Sequence, residues 1–322
     1  MKRNVLLCAV ILIAVISQVA AQGVAENPAE NYWNESITMV VHAGAGGNLD
    51  VKVRLVAKYL EQIVGKPVII ENVAGGGGIT AATQYLEEKP NTHKILVMSD
   101  AMFSIAPKFN RVVYTMDDYI PIIGLDVVRA ALYANREKVK DFDDMKRLVA
   151  SREVLIGDNG KASGSYLSQA AALTMMGGTY RSVTYASAPE TLTSIFAGNI
   201  DFGWGAVNVG QQFVQNGSLT PVMVFSEEPF TFADGTVAPT AKSLGLDVIQ
   251  ENFIFFAIRK GSDPRVVEVI EEALSKVYAN PQFVAETEKM SMFLAPTNAQ
   301  QTKEKVEQIV TDYEQYFALI GD

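Results

Sequence analysis

The chain has 322 residues, 48% of them hydrophobic, with a single cysteine and a formal charge of −9. An acidic surface excludes nucleic acid as a partner, which demands basic stripes. It also means that any bound anion must be held by local donors rather than drawn in by net charge.

Lys2 and Arg3 precede an apolar run over residues 5–16, and Val19-Ala20-Ala21 follows before Gln22. A charged start, a short apolar core and a small-residue cleavage site read as a secretory signal over residues 1–21. The run is too short to span a bilayer comfortably. Val5-Leu6-Leu7 ahead of Cys8 lacks the small residues of a lipidation site. Cleavage removes Lys2, Arg3 and Cys8, leaving a charge of −11 and no thiol or disulfide chemistry. The mature chain is expected in the periplasm, resting on its hydrophobic core alone. At roughly 300 residues it divides more naturally into two lobes than one.

After a polar lead-in, the run over residues 37–41 predicts a strand, and Ala43-Gly44-Ala45-Gly46-Gly47-Asn48-Leu49-Asp50 follows as a glycine loop. From Asp50, Leu55, Val56, Tyr59, Leu60 and Ile63 recur at helical spacing until Gly65-Lys66-Pro67 stops them. Val68-Ile69-Ile70-Glu71 is the next strand, and Ala74-Gly75-Gly76-Gly77-Gly78 is a second glycine loop. A helix over residues 79–87 and a buried strand over 95–98 complete this half. Glycine reaches φ > 0 and brings main-chain N–H groups close to a ligand. A helix N-terminus behind it adds unpaired donors and partial positive charge. Each loop therefore reads either as a seat for an anionic group or as an ordinary strand–helix turn.

Further on, the apolar run Ala130-Ala131-Leu132-Tyr133-Ala134 is a candidate crossing between lobes. Strands are predicted over residues 154–156, 183–185, 200–202 and 219–225, with helices over 143–149, 165–176, 189–197 and 207–215. A glycine- and serine-rich loop fills 157–165, and 226–247 reads as loop. Phe253-Ile254-Phe255-Phe256-Ala257-Ile258 is the candidate return crossing. Asp263 then reads as an N-cap with Pro264 at the first helical position. That helix and two more, over 281–290 and 298–320, form a tail expected to pack back on the first lobe. Alternating strands and helices predict an α/β fold with mainly parallel sheets. Two lobes with two crossings describe a hinged protein that holds a small ligand in its cleft.

Four segments carry a resemblance. Ala45-Gly46-Gly47-Asn48-Leu49-Asp50-Val51-Lys52-Val53-Arg54 matches a Pro-Gly-Gly-x-x-Asp-x-x-Ala-Arg run, with Ala45 for Pro and Val53 for Ala. Asn72-Val73-Ala74-Gly75-Gly76-Gly77-Gly78 fits an Asn-x-x-Gly-Ala-Gly-Gly run. Asp118-Tyr119-Ile120-Pro121-Ile122 and the segment from Tyr185 to Asp201 follow in order. The chain thereby resembles the tripartite tricarboxylate transporter substrate-binding receptors, the Bug family, over nearly all its mature length.

The resemblance implies a type II periplasmic-binding-protein-like fold, α/β and two-lobed. Lobe 1 would comprise residues 36–131 and 254–322, and lobe 2 residues 132–253. It implies a receptor, not an enzyme, that hands a di- or tricarboxylate or related organic acid to a two-component integral membrane permease. Gly46, Gly47 and Asp50 would form part of the near site, with Gly76, Gly77 and Gly78 opposite and Ser99 beside them. Ser163, Gly164 and Ser165 would meet the far end of the ligand. Two departures bear on the ligand: Ser168 replaces a histidine, and Trp204-Gly205 stands where relatives often carry a polar or acidic residue. Trp204 reads either as a cover for a flat or apolar part of the ligand or as core. The expected partner is a small organic anion, the receptor a monomer, with no cofactor and no metal. A sensor feeding a signalling system is the alternative on the same fold; an exported enzyme is a weaker one.

Other constellations carry less. Gly44 and Gly46 lack the third glycine of a dinucleotide fingerprint, although Glu71 lies where a ribose-binding acid would sit. His42 and His93 show no metal-ligand spacing. His42 ends the first strand, where it either grazes the cleft or serves structure. No Gly-x-Ser-x-Gly elbow surrounds Ser163 or Ser165. Asp50 reads as a first-turn helix acid or, by the resemblance, as a ligand contact. Arg54 and Arg129 pair with acids or with ligand, and spacing does not choose.

Overall fold

A computed structural model describes residues 28–290 and 292–321. The signal segment over residues 1–21 lies outside the described residues. The first lobe opens as a run of strand–helix units. β1 (Ile37–Val41) and β2 (Val68–Asn72) are joined by α1 (Asn48–Val64), and α2 (Ile79–Tyr85) leads to β3 (Lys94–Ser99). α1 lays Val53, Val56 and Leu60, all fully buried, onto the sheet. It stops at Gly65, whose φ of 69° places it in the left-handed region that L side chains avoid. Two short helices, α3 (Ala101–Ser104) and α4 (Ala106–Phe109), follow before β4 (Tyr119–Val128).

The chain crosses at Arg129 into β5 (Ala130–Asn135). The second lobe continues through α5 (Phe142–Ser151), β6 (Val154–Asp158), α6 (Gly164–Met175), β7 (Tyr180–Thr184) and α7 (Ala188–Phe196). Next come β8 (Phe202–Ala206), α8 (Val207–Gln215), β9 (Leu219–Val224) and the small ribbon of β10 (Phe230–Thr231) and β11 (Val237–Ala238). The chain returns through β12 (Asn252–Arg259). It ends in α9 (Pro264–Tyr278), α10 (Pro281–Lys289) and α11 (Ala299–Ile320). Asp263 caps α9, its side chain accepting from the Arg265 N–H.

Each lobe holds a five-stranded sheet, ordered β2-β1-β3-β12-β4 in the first and β7-β6-β8-β5-β9 in the second. The sheets are mixed rather than mainly parallel. β1 runs parallel to β2 and β3, and β6 to β7 and β8, but β12 and β5 lie antiparallel to both their neighbours. The reason is the crossing: a strand that enters a lobe from the hinge runs opposite to strands whose C-termini point back toward it. The predicted strand over residues 200–202 lies further along, so Trp204 sits within β8 rather than after it.

The last helix also differs from expectation. Val306 packs in the first lobe, but Tyr313, Tyr316 and Phe317 join the core of the second. The Tyr316 hydroxyl accepts from the Ile249 N–H at 2.8 Å. With 22 residues, α11 is roughly 33 Å long at 1.5 Å per residue, long enough to reach both lobes. None of the described helices is long and apolar enough to cross a membrane.

One ion pair is sealed inside the first lobe. Lys52 of α1, 3% exposed, meets Asp126 of β4, fully buried, and the same carboxylate accepts from the Phe293 N–H at 2.8 Å. Burial alone pushes the Asp126 carboxyl up, and the Lys52 ammonium opposes that. Removing one partner leaves the other charge buried. Lys52→Met should therefore cost about 3–5 kcal/mol in chemical denaturation, and adding Asp126→Leu should recover part of the loss. A cost within error of zero would mean that the pair is not sealed from water.

Candidate functional site

A cavity of about 540 Å³ opens between the lobes. It lies beyond the C-terminal ends of β1, β3 and β6, where open α/β sheets leave a crevice. From the first lobe it takes His42 after β1, Gly76 and Gly77 from the second glycine loop, and Ser99 ending β3. Ala101, Ile105, Ala106 and Asn110 come from the short helices. From the second lobe it takes Asn159, the stretch Ala162 to Ser165, and Trp204; Gln250 and Asn252 come from the return crossing.

The near wall is built of backbone. Gly75, Gly76, Gly77 and Gly78 all have positive φ, at 135°, 57°, 65° and 102°. Four such residues in succession need glycine, because a Cβ would strain each one. Successive N–H groups in such a turn form a concave nest that suits an anion. The N–H groups of Gly76 and Gly77 find no acceptor among the described residues, whereas Gly78 N–H closes the turn on the Gly75 carbonyl at 3.0 Å.

The far wall is the start of α6. Ser163 caps the helix, its hydroxyl accepting from Tyr166 N–H at 3.3 Å and donating to the Gly160 carbonyl at 2.5 Å. Gly164 and Ser165 hold the first two helical positions, where N–H groups have no acceptor within the helix. Asp158, 1% exposed, anchors the loop by accepting from Gly160 N–H at 2.7 Å and the Ser182 hydroxyl at 2.5 Å. A Cβ on Gly164 would lie 2.4 Å from Gln250 Nε2, so glycine leaves the room that the Gln250 amide occupies. Trp204 Nε1–H donates to Gln250 Oε1 at 3.1 Å. The indole N–H is thereby spent on Gln250.

No Asp, Glu, Lys or Arg lines this cavity among the described residues. His42 Nδ1 lies 2.9 Å from the Val97 carbonyl, and burial pulls its pKa below the usual histidine range, which favours the neutral ring. Such a surface can hold an anion by oriented N–H groups and neutral donors. It offers no nucleophile with a base, and the described residues hold no cluster of three metal-ligating side chains.

The profile of the tripartite tricarboxylate transporter family receptors matches residues 52–317. The chain belongs to that family. It is 24% identical to BugT of Bordetella pertussis over 278 residues, covering 82% of this chain and 83% of that protein. Two solved structures from Rhodopseudomonas palustris share the fold. One, with adipate, has a TM-score of 0.77 at 17% identity and covers 89% of this chain and 97% of that one. The other, MatC with bound malate, has a TM-score of 0.73 at 20% identity and covers 88% and 98%. The chain is a solute-binding receptor of this family and not an enzyme.

Seven of the residues expected at the receptor's site line the cavity: Gly76, Gly77, Ser99, Ser163, Gly164, Ser165 and Trp204. Gly46, Gly47, Asp50 and Gly78 do not. Gly78 is buried against Met102, and a Cβ there would meet the Met102 side chain at 2.1 Å. Asp50, 1% exposed, turns both carboxylate oxygens inward. Oδ2 accepts from Gly46 N–H and Arg54 Nε, each at 2.8 Å, and Oδ1 from Asn72 Nδ2 at 2.8 Å. The motif residues Asp50, Arg54 and Asn72 thus bond to one another and tie the first glycine loop to the strand that feeds the second. Ser168 is also turned away: it is buried and donates to the Gly164 carbonyl at 2.8 Å.

Asn110, Asn159, Gln250 and Asn252 were not singled out by sequence. Isolated amides in loops and at a strand start carry no spacing signal, and only the crossing geometry brings them to one place.

The Asp50 carboxyl is held down to about 2, first by the Arg54 hydrogen bond and then, against burial, by Asn72 and Gly46. A depressed folded-state pKa means that the ionised brace stabilises the fold above the ordinary value of 3.8 and is lost as pH falls toward about 2. Asp50→Asn should cost about 1–3 kcal/mol near neutral pH. The gap between variant and wild type should close as pH falls through that window in urea titrations. A gap independent of pH would show that charge plays no part in the brace.

Proposed function

We propose that this receptor captures a small organic anion, a di- or tricarboxylate or related acid, between its lobes and delivers it to an integral membrane permease. It acts in the periplasm, as a monomer, after loss of residues 1–21. One observation carries the reading: the cavity has unpaired backbone donors at both ends, Gly76 and Gly77 in one lobe and Gly164 and Ser165 in the other, with no charged side chain between them. Two donor ends suit a ligand with acceptor groups at both ends. The malate and adipate held by the two R. palustris proteins are such molecules.

Hydrogen bonds to a charged group contribute roughly 1.5–3 kcal/mol each. Four of them reach the order of the roughly 8 kcal/mol that micromolar affinity requires, before ordering costs. The donors are already oriented, so little of that gain is spent on arranging them. Trp204 and Ile105 are apolar members of the cavity lining, suited to the ligand's carbon chain.

The test is thermal melting of residues 22–322, refolded free of ligand, against mono-, di- and tricarboxylates, amino acids, aromatic acids and sugars. A ligand at 100 times its Kd should add roughly 2.7 kcal/mol of stability. The expected result is a selective response to carboxylates that Gly77→Val abolishes. A response only to sugars, or to no acid at all, would overturn the proposal.

A further inference from the structure

We propose that His42 makes the receptor selective for carboxylates bearing a hydroxyl group, over the same acids without it. The inference rests on the carboxylate-receptor reading and adds a requirement within that site. His42 follows β1 directly, and its Nδ1 lies 2.9 Å from the Val97 carbonyl oxygen. A carbonyl can only accept, so Nδ1 carries the proton and donates it. In a neutral ring the other nitrogen, Nε2, then holds a lone pair and no hydrogen. Burial favours the neutral form. No group among the described residues pairs with Nε2, and His42 lines the cavity on the same lobe as Gly76 and Gly77.

The other side-chain acceptors around the cavity are engaged or wet. Ser99 Oγ accepts from Ala101 N–H and donates to Asn252 Oδ1. Gln250 Oε1 takes the Trp204 N–H, and Asn159 Oδ1 faces the Ser165 hydroxyl. Asn110 is exposed, so water serves it. His42 Nε2 is left as a half-buried acceptor with no partner among the described residues. A carboxylate oxygen placed against that lone pair would be repelled. A methylene would leave it unpaired at the cost of its desolvation. A hydroxyl can donate to it. The substrate class that satisfies both the donor ends and this acceptor is a hydroxy acid, with its hydroxyl near the carboxylate seated at Gly76 and Gly77.

The experiment compares matched pairs by calorimetry: malate against succinate, and 2-hydroxyglutarate against glutarate. Wild type should bind the hydroxylated member of a pair about tenfold or more tightly, since sites that read a hydroxyl penalise its absence. His42→Phe should bring that ratio close to one while the unhydroxylated acid still binds. Should the variant fail to fold, the wild-type ring nitrogens decide by NMR: the proton must lie on Nδ1, and Nε2 must respond to malate but not to succinate. Equal affinity within both pairs, an undiminished ratio in the variant, or a proton on Nε2 would overturn the proposal. Binding of none of the four acids, nor of any other carboxylate of the melting panel, would remove the carboxylate reading itself.

Discussion

The near wall of the cavity depends on the carboxylate of Asp50. A loop of four glycines has no side chains with which to hold its shape, and glycine loses more freedom on ordering than any other residue. The fixing must come from neighbours. Asp50 supplies it at the base: it closes the first loop on Gly46 and grips Asn72, whose amide also donates to the Ala43 carbonyl at 3.0 Å. Asn72 ends β2, and the next residue, Val73, donates its N–H to the Val41 carbonyl at 2.9 Å. The second loop therefore springs from a fixed point. Met102 then closes on Gly78 from the other side. The second lobe repeats the device with Asp158, which holds Gly160 and Ser182 behind the far wall. In both lobes a buried acid stands behind the donors rather than in the cavity. Arg54 offsets the charge at Asp50, while burial pushes the Asp158 carboxyl up.

The hinge is the second constraint. β4 and β12 meet side by side where the chain passes between lobes, with Val128 opposite Asn252. Arg129, at the crossing itself, lies over the Phe293 ring at 4.8 Å and 3.7 Å from Glu251. Asp100 is buried at the mouth of β12 and accepts from the Phe253 N–H at 2.7 Å. Burial raises its pKa to about 7, against the pull of that hydrogen bond. α11 spans both lobes, so bending at the strands must be accommodated along this helix as well. Ser99 and Asn252, bonded to each other at 2.7 Å, sit on the cavity side of the same hinge. Cavity shape and hinge geometry are therefore properties of the same few residues.

Much of this was legible in the sequence because it is periodic or depends on glycine. The strand–helix alternation, the Asp263 cap and both crossings follow from apolar spacing and local stereochemistry. The mixed sheets were not legible, since apolar runs such as residues 253–258 carry no direction. The reach of α11 was hidden for a related reason: its apolar positions fit one long stripe, and nothing in the stripe marks where one lobe ends. At the site, glycine pointed to the loops but not to which glycines face the cavity. Gly76 and Gly77 do, and Gly78, one residue on, is buried because the turn it closes directs it toward Met102. The Asp50 motif was visible, yet its inward orientation depends on Asn72 arriving from another strand.

Recognition by backbone, as proposed for this receptor, would separate family membership from ligand choice. Main-chain N–H groups are the same in every sequence, so a site built from them is preserved by whatever keeps the loops in shape. In this chain those residues are the braces Asp50, Arg54 and Asn72. They mark the fold strongly and reveal little of the ligand, because they do not reach the cavity. The side chains that do reach it come from unrelated places: the end of β1, the middle of β8 and the approach to β12. Trp204 and Gln250 illustrate the consequence. They are 46 residues apart, bond to each other and both line the cavity. A side chain at 164 would displace the Gln250 amide. A change at any one of the three alters the shape that a ligand meets without disturbing the donors at either end. On the proposed reading, ligand selectivity can therefore change while the backbone donors stay fixed.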